Sequence, residues 1–133
     1  MKKLLLILAV ALLPGCVLMD SYLMKYDTNE YRIITEIRAE ASGYKTECSN
    51  PLMSNPNAIA MAEKTQFFVF YTQYQPHNEP VQKASVELNK IAQGLKDQYA
   101  KGTQVSPIFC KLKFETIEKS AESMQKVIGD KPR

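Results

Sequence analysis

The chain has 133 residues, of which 45% are hydrophobic, and this is enough for one domain with a hydrophobic core. Its 17 lysines and arginines outnumber its 14 acidic residues, but two of the lysines lie at positions 2 and 3. The remainder is nearly neutral and has no basic stripe with interleaved aromatic residues. These features exclude nucleic acid as an expected partner.

The chain begins with a segment typical of an export signal. Lys2 and Lys3 precede an apolar run of about ten residues, the length of a signal-peptide core and too short to span a bilayer. The run ends in Leu13-Pro14-Gly15-Cys16, which is an aliphatic residue, a variable residue, a small residue and a cysteine. This order resembles the lipobox of bacterial lipoproteins.

The resemblance implies cleavage before Cys16, acylation of its thiol and new amino group, and anchoring to a membrane through these lipids. Because Val17, not aspartate, follows the cysteine, it also implies sorting to the outer membrane. The domain is then exposed to the periplasm, which is the expected side, or on the cell surface. The expected organisation is a signal peptide over 1–15, a lipidated membrane-proximal segment over 16–27 and a helical domain over 28–133. An ordinary secretory signal and an uncleaved anchor are the alternatives.

Four helices are predicted from apolar residues that recur every three or four positions. The spacing from Asp27 to Glu30 is that of a capping box and starts the first helix, from about 29 to 48. The segment 49–57 is predicted to be a loop because it contains two prolines, three asparagines and two serines. Asn55-Pro56 is then expected to cap the second helix, which runs from about 56 to 75.

A third helix is predicted from about 79 to 101, and Gly102 suits the position after its end. Ser106-Pro107 provides a cap and a first-turn proline for a fourth helix, which ends at Gly129.

The second predicted helix carries an aromatic run over 67–71 that by composition also suits a buried strand. Helix is the preferred interpretation, since no turn separates this run from the helical pattern before it. Aromatic side chains would lie on nearly all sides of this helix. The helix is therefore either central in the fold or presents aromatic rings to a partner. Central packing is the interpretation favoured at this point.

Four helices of about twenty residues with short connections predict an all-α fold, an up-down-up-down four-helix bundle. In that topology Cys48 ends the first helix and Cys110 begins the fourth, so both lie at one end of neighbouring helices. With Cys16 assigned to the lipid, an even pair remains, and an oxidising compartment favours a Cys48–Cys110 disulfide. Two free buried cysteines are the alternative.

The sequence contains few residues or motifs typical of an active site or a metal site. His77 is the only histidine and lies between prolines in the turn over 76–80, so it cannot join other histidines in a zinc site. No phosphate-binding loop, nucleophile elbow or calcium loop is present. We therefore expect no enzyme activity, no metal site and no cofactor.

Three functions fit these features. The first is a non-catalytic outer-membrane lipoprotein that binds another envelope protein as a regulator, inhibitor or exclusion factor. Its candidate contacts lie in the loop over 49–57, at the end of the second helix and in the following turn: Leu52, Met53, Tyr71, Tyr74 and His77.

The second function is a pilot or scaffold subunit of an envelope complex, which an exposed apolar patch on the second helix would favour. The third is a small-ligand carrier. It requires a cavity in the bundle, and the expected lining residues are Phe67, Phe70, Ile91 and Phe114.

Overall fold

The computed structural model describes residues 24–133, so the predicted lipobox, with Cys16, lies outside the described residues. The helices are α1 (Thr28–Tyr44), α2 (Pro51–Gln73), α3 (Glu79–Ala100) and α4 (Pro107–Gly129). One short 3₁₀ helix, η1 (Lys45–Glu47), follows α1, and residues 24–133 contain no strand. The aromatic run over 67–71 is therefore helical, as predicted.

The helices form a closed ring of four. Each helix packs against the next one in the chain, and α4 returns to pack against α1. The α1–α4 and α2–α3 pairs make the most extensive contacts. Short connections reverse the chain after each helix, so neighbouring helices are antiparallel. The predicted up-down-up-down bundle is confirmed.

The core lies where the apolar stripes of α1, α3 and α4 meet, and α2 adds Met61, Phe68 and two alanines to it. All six residues of the stripe on α4 are buried, as the regular steps of three and four predict. The largest completely buried side chains of these three helices are Phe114, Ile34, Ile37, Leu88, Leu95, Ile117 and Ile128.

A disulfide joins Cys48, just after η1, to Cys110 in the first turn of α4, with the two Cα atoms 5.7 Å apart. This confirms the predicted bridge. Next to it, the rings of Tyr44 and Phe114 meet edge to face with their centroids 5.6 Å apart. We call this the disulfide end of the bundle.

The start of α2 differs from the prediction. Asn50, not Asn55, is the N-cap, since its side-chain oxygen accepts the Leu52 N–H at 3.1 Å and Pro51 takes the first helical position. Pro56 lies inside the helix, where it lacks the N–H that would donate to the Leu52 carbonyl.

The loop predicted over 49–57 is therefore wrong, because residues 51–57 are helical. The extra turn lies against the bundle, because its residue Ser54 is buried. Just after it, Ala58 is fully buried and the Asn57 amide donates to Glu47 at 2.5 Å. These contacts offset the one backbone hydrogen bond that Pro56 removes.

The opposite end, which we call the base, holds residues 24–27, the α2–α3 turn and the C-terminal tail. Residues 24–27 are not helical, and the Tyr26 N–H donates to the Pro132 carbonyl at 2.9 Å. Asp27 caps α1, with its carboxylate accepting the Glu30 N–H at 2.8 Å as the capping spacing predicts. Both chain ends of the described domain therefore meet at the base.

Three buried polar side chains from separate segments also meet at the base. The Lys131 ammonium donates to the Glu30 carboxylate at 2.5 Å and to the Asn78 side-chain oxygen at 2.7 Å. The Asn78 amide in turn donates to the second Glu30 oxygen at 2.5 Å. Glu30 and Lys131 are 0% and 3% exposed, so this is a buried ion pair whose groups are hydrogen-bonded to each other and to Asn78.

Candidate functional site

Helix α2 has an unusual distribution of side chains. Its inner face carries small and polar residues, and its outer face carries most of its large apolar ones. The buried positions are Ser54, Asn57, Ala58, Met61, Ala62, Thr65, Phe68 and Thr72. Phe68 and Met61 are the only large apolar side chains in this set.

Hydrogen bonds to α3 fix the inner face of α2. The Thr65 hydroxyl donates to the Asn89 side chain at 3.0 Å, and Asn89 donates to Gln66 at 3.0 Å. At the C-terminal end of α2, the hydroxyls of Thr72 and Ser85 are 2.9 Å apart. Rotating α2 to bury its outer rings would leave these polar groups without partners, which is costly inside a protein.

The outer face of α2 carries a row of exposed apolar residues, Leu52, Ile59, Phe67, Phe70 and Tyr74, which we call the α2 stripe. Leu52 and Tyr74, at its two ends, are 84% and 83% exposed, and Phe67 and Phe70 are 55% and 58% exposed. With Pro56 and Glu63 in between, the positions advance in steps of three or four, so all seven lie on one side of the helix. From residue 52 to residue 74 the row extends over about 33 Å.

Central packing of the aromatic run is therefore wrong for two of its rings. Phe68 is fully buried, but Phe67 and Phe70 point outward, as does Tyr74 after the run. The hydroxyls of Thr65 and Thr72 form hydrogen bonds with α3 and so hold the opposite side of α2 against it. The rings on the other side therefore face outward.

The cavity required for a small-ligand carrier does not form from the predicted residues. Phe114 is fully buried in the core and Ile91 is partly buried against it, whereas Phe67 and Phe70 lie on the outer surface. The four side chains therefore do not line one common space.

The five predicted contact residues do not form one compact site. Leu52 and Met53 are exposed in the first turn of α2 at the disulfide end, not in a loop. Tyr74 and His77 lie at the base, roughly 30 Å away along the helix. His77 is exposed in the α2–α3 turn, where its backbone has a φ of 55°.

Leu52 and Tyr74 nevertheless belong to the α2 stripe, so two of the five predicted residues share one surface. The prediction missed Ile59, Phe67 and Phe70 as surface residues. Their spacing relative to Leu52 and Tyr74 was the available signal, because it defines a second apolar face on a helix that needs only one face for the core.

Tyr71 has a structural role at the edge of the stripe. Its hydroxyl donates to the Asp27 carboxylate at 2.8 Å, and its ring centroid lies 6.5 Å from that of Phe67. Partial burial and the hydrogen bond to Asp27 both raise the pKa of the Tyr71 phenol. Tyr71 thus connects the N-cap of α1 to the outer face of α2.

Partial burial raises the pKa of Asp27, but the Glu30 N–H, the Tyr71 hydroxyl and the Lys131 charge together lower it below its ordinary value. A carboxylate whose pKa is lower in the folded than in the unfolded state stabilises the fold at pH values above its unfolded-state pKa, about 3.9 for aspartate. This contribution is lost as the pH falls through the folded-state pKa.

We expect Asp27→Ala to lower the free energy of unfolding by about 1 kcal/mol at neutral pH, because α1 loses its cap. The difference from wild type should shrink as the pH falls below about 4, because protonated Asp27 no longer contributes its charge. Urea unfolding at several pH values measures this. Asp27→Asn, which keeps an oxygen acceptor, should retain most of the stability, and a difference between Asp27→Ala and wild type that is unchanged at acid pH would contradict the assignment.

Charge is sparse around the α2 stripe. Glu63 is exposed at the middle of the row and forms no salt bridge with any residue from 24 to 133. Lys64, the only cation of α2, lies on the flank toward α1, where it pairs with Glu36 at 3.2 Å and with Glu40. Burial lowers the pKa of Lys64, but these two carboxylates outweigh it and raise the pKa. Lys64 is thus engaged with α1.

Among residues 24–133, no helix is long and apolar enough to cross a membrane. The same part of the chain has no cluster of three or more histidine, cysteine, aspartate or glutamate side chains suited to a metal ion. The chain matches no protein-family model, no curated protein and no solved structure.

Proposed function

We propose that this chain is a non-catalytic, lipid-anchored docking module of the bacterial envelope, and that the α2 stripe binds another protein as part of an assembly. The α2 stripe is the observation that carries the proposal. Its apolar row extends along the whole helix with Glu63 as the one charged position, and exposed apolar patches on monomers often mark interaction sites.

The composition of the stripe favours assembly over regulated, reversible binding. Aromatic residues are enriched in the cores of protein interfaces, and charged residues are depleted there. Phe67, Phe70 and Tyr74 give the stripe this character over its last two turns. This supports the pilot or scaffold function ahead of a regulator that binds through a polar loop.

Two independent observations support the proposed cellular location. The leader resembles a lipobox, with Cys16 as the residue to be acylated, and the Cys48–Cys110 bridge fits an oxidising compartment such as the periplasm. We therefore propose an outer-membrane lipoprotein that faces the periplasm. The lipid on Cys16 would hold the domain close to its partner and so raise the effective concentration of the stripe.

A photo-crosslinking amino acid at position 67, in full-length protein in intact envelopes, tests the docking surface. We expect one specific crosslinked partner. Phe70→Ser in the same protein should abolish the crosslink, because it places a polar group in the middle of the apolar contact. It should change the free energy of unfolding by no more than about 0.5 kcal/mol, since Phe70 is largely exposed.

A crosslinker at position 112 is the matched control, because Leu112 is also an exposed apolar residue but lies on α4, diagonal to α2. Equal crosslinking from both positions would contradict a specific docking face. Cys16→Ser in the same experiment tests the anchor. We expect the precursor to keep its leader and lose the crosslink, and normal maturation of that variant would refute the lipobox.

A further inference from the structure

We infer that the partner of the α2 stripe is an amphipathic α-helix whose apolar face carries a lysine or arginine near its middle, opposite Glu63. This inference rests on the proposed docking function and identifies the chemistry of its partner.

The shape of the stripe fits a helix. It is a narrow row about 33 Å long on one helix, with side chains every three or four positions. A second helix presents ridges at the same spacing, so its side chains can interdigitate along the whole length of the row.

The charge on the stripe requires a cation from the partner. Glu63 lies between Ile59 and Phe67 in the row, so a helix that covers both neighbours also removes water from its carboxylate. An ionised carboxylate that loses water without gaining a partner carries a large energetic cost. Lys64 does not supply the counter-charge, because it is engaged by Glu36 and Glu40 on the side of α1.

A second copy of this chain fits the stripe poorly. Glu63 lies midway between Leu52 and Tyr74, eleven residues from each. Two copies that match their whole stripes in antiparallel orientation therefore place Glu63 opposite Glu63 at the two-fold axis. A parallel, in-register pair does the same. Like charges in a desolvated contact oppose association in both arrangements.

A lipid surface is also a poor match. Helices that lie in the membrane interface carry lysines and arginines beside the apolar face, where these contact anionic headgroups. The described helix α2 has Lys64 as its single cation, and that residue is paired with α1. The stripe is as apolar as the buried face of such a helix, but the lysines and arginines that would flank it are missing from α2 except for Lys64.

Two synthetic helical peptides of about 24 residues, each long enough to cover the stripe, test this inference. They share one apolar face and differ at its central position, which is lysine in one and glutamate in the other. Binding to full-length lipidated protein in nanodiscs is measured by fluorescence anisotropy. We expect the lysine peptide to bind at least about tenfold more tightly.

Glu63→Lys should reverse this preference, whereas Glu87→Lys, at an exposed position on the outer face of α3, should leave it unchanged. If both peptides bind equally to wild type, or if Glu63→Lys does not reverse their order, the inference is wrong. Crosslinking of position 67 to a second copy or to lipid would also overturn it. If position 67 forms no crosslink in intact envelopes and neither peptide binds the purified protein, the docking function itself is refuted.

Discussion

Replacing Lys131 with methionine is expected to lower the free energy of unfolding by about 3 kcal/mol. Within residues 24–133, Lys131 is the only cation that contacts the Glu30 carboxylate, and both side chains are almost completely buried. Methionine has a similar length but no charge, so Glu30 would remain buried with only the Asn78 amide as a partner. Removal of one member of a buried ion pair generally costs about 3–5 kcal/mol.

We place the expected loss at the lower end of this range because Lys131 lies after the end of α4, in a segment outside the helices. Once the tail is no longer held, it can move away and let water reach Glu30. The measurement is the midpoint of urea unfolding, followed by circular dichroism, for wild type and variant.

Lys126→Met is the matched control. Lys126 is 72% exposed and pairs with Glu122 one turn earlier on α4, and exposed pairs of this kind contribute only about 0.3–0.5 kcal/mol. If Lys131→Met cost no more than Lys126→Met, the pair at the base would not be a stabilising contact.

Removing the disulfide should have a comparable or larger effect. Cys48 and Cys110 are separated by 62 residues, and a crosslink over such a loop stabilises the fold by roughly 4 kcal/mol, chiefly by restricting the unfolded chain. Cys48→Ala/Cys110→Ala should lose about this amount, which is a large part of the 5–15 kcal/mol typical of a domain. The proposed export should persist, because the segment that resembles a signal peptide is unchanged.

Reduction provides an internal control for the double variant. Dithiothreitol should lower the melting temperature of wild type to nearly that of Cys48→Ala/Cys110→Ala and should not change the variant itself. A variant that melts like oxidised wild type would show that the bridge adds no stability.

The fold was predictable because three helices each need one apolar face and show one. The stripe on α4 from Cys110 to Ile128 has regular steps of three and four, and every member is buried. The cysteine pairing followed from the same topology, since alternating helices place Cys48 and Cys110 at one end. Local patterns were sufficient wherever apolar spacing and core packing agreed.

The candidate site was less predictable because α2 has two faces that suit burial. One is small and polar, with Thr65 and Thr72 bonded to α3, and the other is aromatic. Hydrophobicity alone favours burying the aromatic face. The choice depends on hydrogen-bond partners in α3, which lie more than ten residues away in sequence and which periodicity does not reveal.

Two further differences from the prediction occur at the starts of helices. Asn50-Pro51 and Asn55-Pro56 are equally good cap signals, and only the burial of the turn between them shows that the first is used. Glu30 fits the acidic position of a capping box, but its carboxylate binds Asn78 and Lys131 instead. That arrangement joins three distant segments, and no local pattern predicts it.

The contact between Tyr71 and Asp27 has a mechanical consequence. Asp27 lies where the chain enters the domain, and Tyr71 lies beside Phe67 at the edge of the α2 stripe. Tension between a tether at the N-terminal side and a load bound to the stripe would reach α2 at the base, through this hydrogen bond as well as through the packing of α1 against α2. The disulfide lies at the far end of the bundle, away from this contact.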